Sequence, residues 1–217
     1  MEDRGRRPPG LRHAPVTRTL LALNVAVWAG MVLAGSVVSS RMIFELGAIP
    51  ARLTGVLFEP DAWLPPAVTL VSAMFLHGGW AHLLMNALFL IVVAPPVESL
   101  FSARRFTTLY VVGGIAGNIA QTLADPTSLA PAIGASGAIS AVFGAYLMRF
   151  ADRPTPARAG AASEFVAAAR FAVAWAALQA LVAIAVPDLG IAVWAHIGGL
   201  VTGLLIAAFP HRKMSGS

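Results

Sequence analysis

Cysteine is absent from this 217-residue chain, which removes disulfides, thiolate metal sites and a cysteine nucleophile together. Charge is scarce as well: Asp, Glu, Lys and Arg make up 12% of the residues, against about 25% in a soluble domain. The acids are confined in position. Asp3, Asp61, Asp125, Asp152 and Asp188, and Glu2, Glu45, Glu59, Glu98 and Glu164, all fall in tails or in connections between apolar runs. The absence of a carboxylate within a run argues against an aspartyl protease working in lipid, and against a proton-coupled transporter built on buried acids. No His-Glu-x-x-His sequence occurs, which argues against a zincin-type metalloprotease. No metal or other cofactor is expected.

What the chain has in quantity is apolar surface. Hydrophobic residues form 58% of it, where soluble domains hold about 45–50%. A core of this size cannot hide that excess, so the expected solvent and partner is the lipid bilayer. The net charge of +5 is modest and its arginines lie in short connections, not on one face, which sets nucleic acid aside as a partner. A spanning helix needs roughly 20 mainly apolar residues. Six candidate runs lie near 18–38, 79–97, 105–124, 136–150, 166–186 and 190–209. The expected fold class is therefore an all-α membrane protein, a bundle of six transmembrane helices.

The fourth run is short. Ser136 to Phe150 would rise about 22 Å against about 30 Å of hydrocarbon. Such a helix is expected to begin below the membrane surface, with protein or trapped water satisfying the backbone of the preceding loop "ADPTSLAPAIGA". With the N-terminus inside, thirteen of the fifteen lysines and arginines fall on inner segments, leaving Arg41 and Arg52 outside. That bias places both termini in the cytoplasm. The basic stretch Met1 to Thr17 lacks a signal-peptide cleavage pattern. The domain reading is a cytoplasmic tail over 1–17, a six-helix domain over 18–210 and a cytoplasmic tail over 211–217. Arg- and Ala-rich usage without a long soluble segment points to a bacterial inner membrane. The 39–78 connection is an outer loop long enough for helices of its own, and its "EPDAWLPPAV" section suggests an irregular path.

Polar groups inside a membrane are functional candidates by default. His82 and Asn86, in "HGGWAHLLMN", share a face of the second span, His196 lies in "WAHIGGLVTG" of the sixth, and Ser136 lies in "IGASGAIS" at the head of the fourth. The second span runs inward while the fourth and sixth start from outside, so all of these fall in the outer third of the membrane. A nucleophile, a base and an oxyanion donor must meet in this way. Each also has a plainer reading: the glycines beside Ser136 could be a packing face, and each histidine a helix-to-helix hydrogen bond. The Ser136 segment is not the α/β-hydrolase elbow, since glycine follows the serine directly and no strand precedes it. Gly199 and Gly203 form a Gly-x-x-x-Gly face that would draw the sixth span onto the fourth, and His196 towards Ser136. Asn24, Asn118, Gln121 and Gln179, with Gly113, Gly114 and Gly117, are assigned to packing and hydrogen bonding. Trp28, Trp63, Trp80, Trp175 and Trp194 are assigned mostly to interfacial anchoring.

"HGGWAHLLMN", "GASGAISAVFGAY" and "AHIGGLVTG" resemble the three signature segments of the rhomboid family of intramembrane serine proteases, and the likeness runs from about Thr17 to Pro210. The resemblance implies Ser136 as nucleophile, His196 as general base, and an oxyanion hole from His82, Asn86 and the Ser136 N–H. It implies transmembrane-helix proteins as substrates, cut near their outer end. It leaves room for a second class of function, a catalytically silent rhomboid-like binding or quality-control protein. A small-solute transporter is disfavoured by the missing carboxylates. In two places the chain departs from the family pattern: Ser102 stands where a glycine is usual, and Val68 and Thr69 occupy the places of the usual Trp-Arg pair, which bears on the shape of the outer loop.

Overall fold

The computed structural model describes residues 10–150 and 192–208, with scattered helical positions between 166 and 181. Most of the expected fifth span, residues 1–9 of the expected N-terminal tail, and the whole C-terminal tail lie outside the described residues. The described elements are helices: α1 (Pro15–Ala34), α2 (Ser36–Leu46), α3 (Pro50–Leu53), α4 (Pro66–Ser72), α5 (Trp80–Glu98), α6 (Ala103–Ala124), α7 (Ser136–Phe150) and α8 (Val193–Ala208). Short 3-10 turns occupy Leu11–His13 and Ala73–Phe75. Among the described residues α1 and α5, of 20 and 19 residues, are long and apolar enough to cross a bilayer.

The first apolar run does not form one helix over 18–38. It breaks at Gly35, whose φ of +85 ends α1 before α2 begins. Glycine adopts such a conformation without the steric penalty of a side chain. The outer connection carries α2, α3, α4 and a 3-10 turn, with irregular chain between Thr54 and Pro65.

At the centre lies α7. It packs most extensively on α8, with α6 against both and α5 on another side, while α1 packs on α5. Ten of the residues from Gly137 to Met148 are buried, on every face of the helix, as expected of a helix apolar all round.

Two buried charges hold the periphery. The N-cap residue of α1, Ala14, has no side chain that could cap it. Instead Glu98, 6% exposed at the end of α5, accepts from the Val16 N–H at 2.8 Å, the Thr17 N–H at 2.9 Å and the Thr17 hydroxyl at 2.6 Å. A carboxylate there satisfies orphan donors and meets the positive end of the helix dipole. The buried Arg52 organises the outer loop. It donates to the Phe44 carbonyl at 2.6 Å, pairs with Glu59 and, at 3.9 Å, with Glu45, and lies over the Phe44 ring at 4.1 Å. Where the Trp-Arg pair is missing, Val68 is exposed and Thr69 is buried, its hydroxyl donating to the Pro66 carbonyl at 2.6 Å. The loop is thus pinned by a cation from a different part of itself.

The chain leading into α7 is irregular but paired. Ala48 and Ala132 exchange backbone hydrogen bonds at 3.0 and 2.9 Å, the Ala51 N–H donates to Ser128 at 3.0 Å, and the Thr54 hydroxyl donates to Pro126 at 2.8 Å. The 39–78 connection therefore supplies hydrogen-bond partners for the non-helical backbone that leads into α7.

Replacing Glu98 with Ala should lower unfolding free energy by about 2–3 kcal/mol, since hydrogen bonds to a charged group are lost and the α1 donors are orphaned. Thermal or denaturant unfolding in detergent measures it; an unchanged midpoint would show the clamp to be idle.

Candidate active site

Ser136 is the first residue of α7, and the turn before it is tightly specified. Gly134 has φ +108, and its N–H donates to the Ala73 carbonyl at 2.8 Å. A Cβ at position 134 would stand 2.6 Å from His82 Nε2. The His82 imidazole, near the start of α5, is thus seated with Nε2 against the backbone two residues ahead of Ser136. Asn86, one turn further along α5, is buried, and its Nδ2 donates to the His82 carbonyl at 2.9 Å. A carboxamide nitrogen carries a second hydrogen, so that bond leaves one N–H to give.

From the other side comes α8. A Cβ at Gly117 would lie 2.6 Å from the Ala195 carbonyl, so α6 admits that oxygen because it has no side chain there, and α7 meets the same oxygen at Gly137, where a Cβ would stand 3.4 Å away in ordinary contact. Further along, Gly199 abuts the Gly137 carbonyl and Gly203 the Ala141 carbonyl, while Gly144 of α7 abuts the Leu200 carbonyl. Gly137 follows Ser136 in the chain and Ala195 precedes His196. The serine and histidine therefore flank a backbone-to-backbone contact between their helices. Gly134, Ser136, Gly137, Asn118, Ala192 and Ala195 help line a cavity of about 10 Å³, close to the volume that admits one water.

Trp175 is half-buried. It packs against the buried core, its ring 5.7 Å from that of Phe143 and 5.9 Å from that of His196. Asn118 has a defined bond, donating from α6 to the Leu70 carbonyl of α4 at 2.9 Å.

A family model described as a Rhomboid domain matches residues 66–213. This chain belongs to the rhomboid family. Similar proteins include the putative rhomboid protease YdcA of Bacillus subtilis (strain 168), 31% identical over 63% of this chain and 63% of its own length. RHOMBOID-like protein 5 of Arabidopsis thaliana is 34% identical over 48% of this chain and 31% of its own. The rhomboid protease GluP of Bacillus subtilis (strain 168) is 30% identical over 60% of this chain and 24% of its own. The chain thus spans less than two thirds of the length of these curated relatives. Rhomboid proteins are membrane-embedded, and this rhomboid is a membrane protein.

One residue at the site of this rhomboid escaped sequence reasoning. His77, 1% exposed, sets its ring 5.1 Å from that of His82 at an interplanar angle of 66°. Burial, reinforced by His82, lowers its pKa to about 4, so it is neutral at physiological pH. The available signal was a second imidazole five positions ahead of His82 in the same segment.

Gly134→Ala should destabilise the fold by about 1–3 kcal/mol from backbone strain alone, before displacement of the His82 ring is counted. A melting curve in detergent reads the loss; a variant melting with the parent would mean that the turn relaxes freely.

Proposed function

We propose that this rhomboid is an intramembrane serine endopeptidase that cuts transmembrane segments of other membrane proteins near their outer end. The observation that carries the reading is the convergence at the head of α7. His82 Nε2 faces the turn that leads into Ser136, while the glycine contacts hold the helix bearing His196 against the residue after Ser136. The family's membership of named proteases supports the same reading.

In this mechanism the Ser136 hydroxyl attacks the scissile carbonyl and its proton passes to His196, which then protonates the leaving amine. The sequence puts no carboxylate within an apolar run, so the catalytic pair is read as a dyad. The Ser136 N–H, unpaired within the helix because it lies in the first turn, joins His82 and Asn86 in stabilising the oxyanion, each such donor being worth about 10²–10³ in rate. Water then releases the acyl group, entering from the outer side beneath the loop. An intact substrate helix hides its carbonyls in hydrogen bonds, so segments weakened by Gly or Pro near the cut are the preferred substrates, with small residues at the cut itself.

The accompanying topology is six transmembrane helices over 18–210, the fourth beginning inside the membrane, with cytoplasmic tails over 1–17 and 211–217 in a bacterial inner membrane. The mechanism needs neither metal nor cofactor.

The decisive assay compares the parent, Ser136→Ala and His196→Ala in liposomes containing a single-span substrate. The parent should cleave, and each variant should lose at least about 10⁴-fold in rate while melting like the parent. Cleavage surviving in Ser136→Ala would sink the assignment. Equal substrate binding by all three, with no cleavage, would favour a silent binding protein.

A further inference from the structure

We infer that His77 is a positioning residue: its ring holds the plane of the His82 imidazole so that Nε2 stays turned towards the Gly134–Ser136 turn. This inference rests on the proteolytic reading above. The final torsion of a histidine side chain is broad, so an imidazole asked to donate to an oxyanion needs neighbours that fix its plane. His82 has contacts at two points. Its Nε2 lies against the Gly134 backbone, and its ring meets that of His77 edge to face, an arrangement aromatic pairs prefer.

His77 itself is chemically unusual for its place. It is almost fully buried, and neither ring nitrogen makes a hydrogen bond of good geometry among the described residues, the Phe75 backbone being the polar group beside the ring. An apolar side chain of similar shape would fill the space without burying poorly paired polar atoms. Core packing alone therefore does not account for an imidazole at this position.

The chain around it explains how the position is held. Ala73–Phe75 is a tight 3-10 turn with Met74 fully buried. The Ala73 carbonyl accepts the Gly134 N–H at 2.8 Å, and the Ser72 hydroxyl donates to the Leu46 carbonyl at 2.7 Å. One short stretch, 72–77, thus fixes both the turn before Ser136 and the ring beside His82, and it is tied to the outer loop. The donor and the turn it faces are positioned by the same piece of backbone.

The test uses the full chain in liposomes with a single-span substrate, comparing the parent, Ser136→Ala, His77→Ala and His77→Phe. His77→Ala should lower kcat roughly three- to tenfold, the rate equivalent of an aromatic contact, while KM stays within about twofold. His77→Phe keeps a ring edge without nitrogens and should recover most of the lost kcat, melting no lower than the parent. If His77→Ala does not fold, His77→Leu fills the space without a ring and takes its place. Nitrogen-15 spectra of the histidine rings give a readout independent of turnover. The His82 signals should be sharp in the parent and His77→Phe, and broadened or shifted in the variant without a ring. A parent that shows no Ser136-dependent cleavage would defeat the proteolytic reading, and the His82 spectra would still decide the positioning claim. Parent-like kcat and spectra in His77→Ala, or a His77→Phe as impaired as His77→Ala, would overturn it.

Discussion

Between α7 and α8 the limit of approach is set by backbone atoms. The carbonyls of Gly137 and Ala141 occupy the places where side chains at Gly199 and Gly203 would begin, and the Leu200 carbonyl does the same opposite Gly144. In lipid, two apolar helices gain nothing by hiding from their solvent, so close van der Waals contact must hold them. α6 joins the contact in the same manner: a Cβ at Gly198 would stand 2.5 Å from Ala120 Cβ and 3.0 Å from the Ala116 carbonyl. The relation of the Ser136 and His196 helices is therefore fixed by main chain, which cannot change rotamer.

The second requirement is that backbone outside helices be paired at depth. The loop before Ser136 meets it through the outer connection at Ala48, Ala51 and Thr54, and the outer connection is in turn gathered around Arg52. These supports form a chain in which a buried cation orders a loop, the loop satisfies a turn, and the turn presents the serine.

Much of the architecture was legible because apolar runs end at recognisable residues. Positions 136–150 form a helix with the bounds read from the sequence, and the run at 79–97 is displaced by only one residue in α5. Gly35 was not legible: glycine within an apolar run does not announce whether its φ is positive, and only the structure shows α1 stopping there. Glu98 and Arg52 looked like ordinary connection residues because their partners are set by tertiary packing. Glu98 reaches 82 and 81 positions along the chain to Val16 and Thr17. At the site, spacing and depth indicated which residues could share a level, but ring contacts carry no sequence period. That is why His77 was overlooked.

The helix that opens with Ser136 has scarcely any outer surface of its own. From Gly137 to Ala145 only Phe143 is more than marginally accessible, whereas α1 and α5 display Leu33, Met85 and Val92 outward. Changes in bilayer thickness act on helices that touch lipid, chiefly by altering their tilt. In this protein such stress falls first on the surrounding helices, α6 and α8 included, which expose Leu123 and Leu205, and reaches the central helix through them. The arrangement works as mechanical isolation, keeping the head of α7 in register while the surrounding membrane varies in composition.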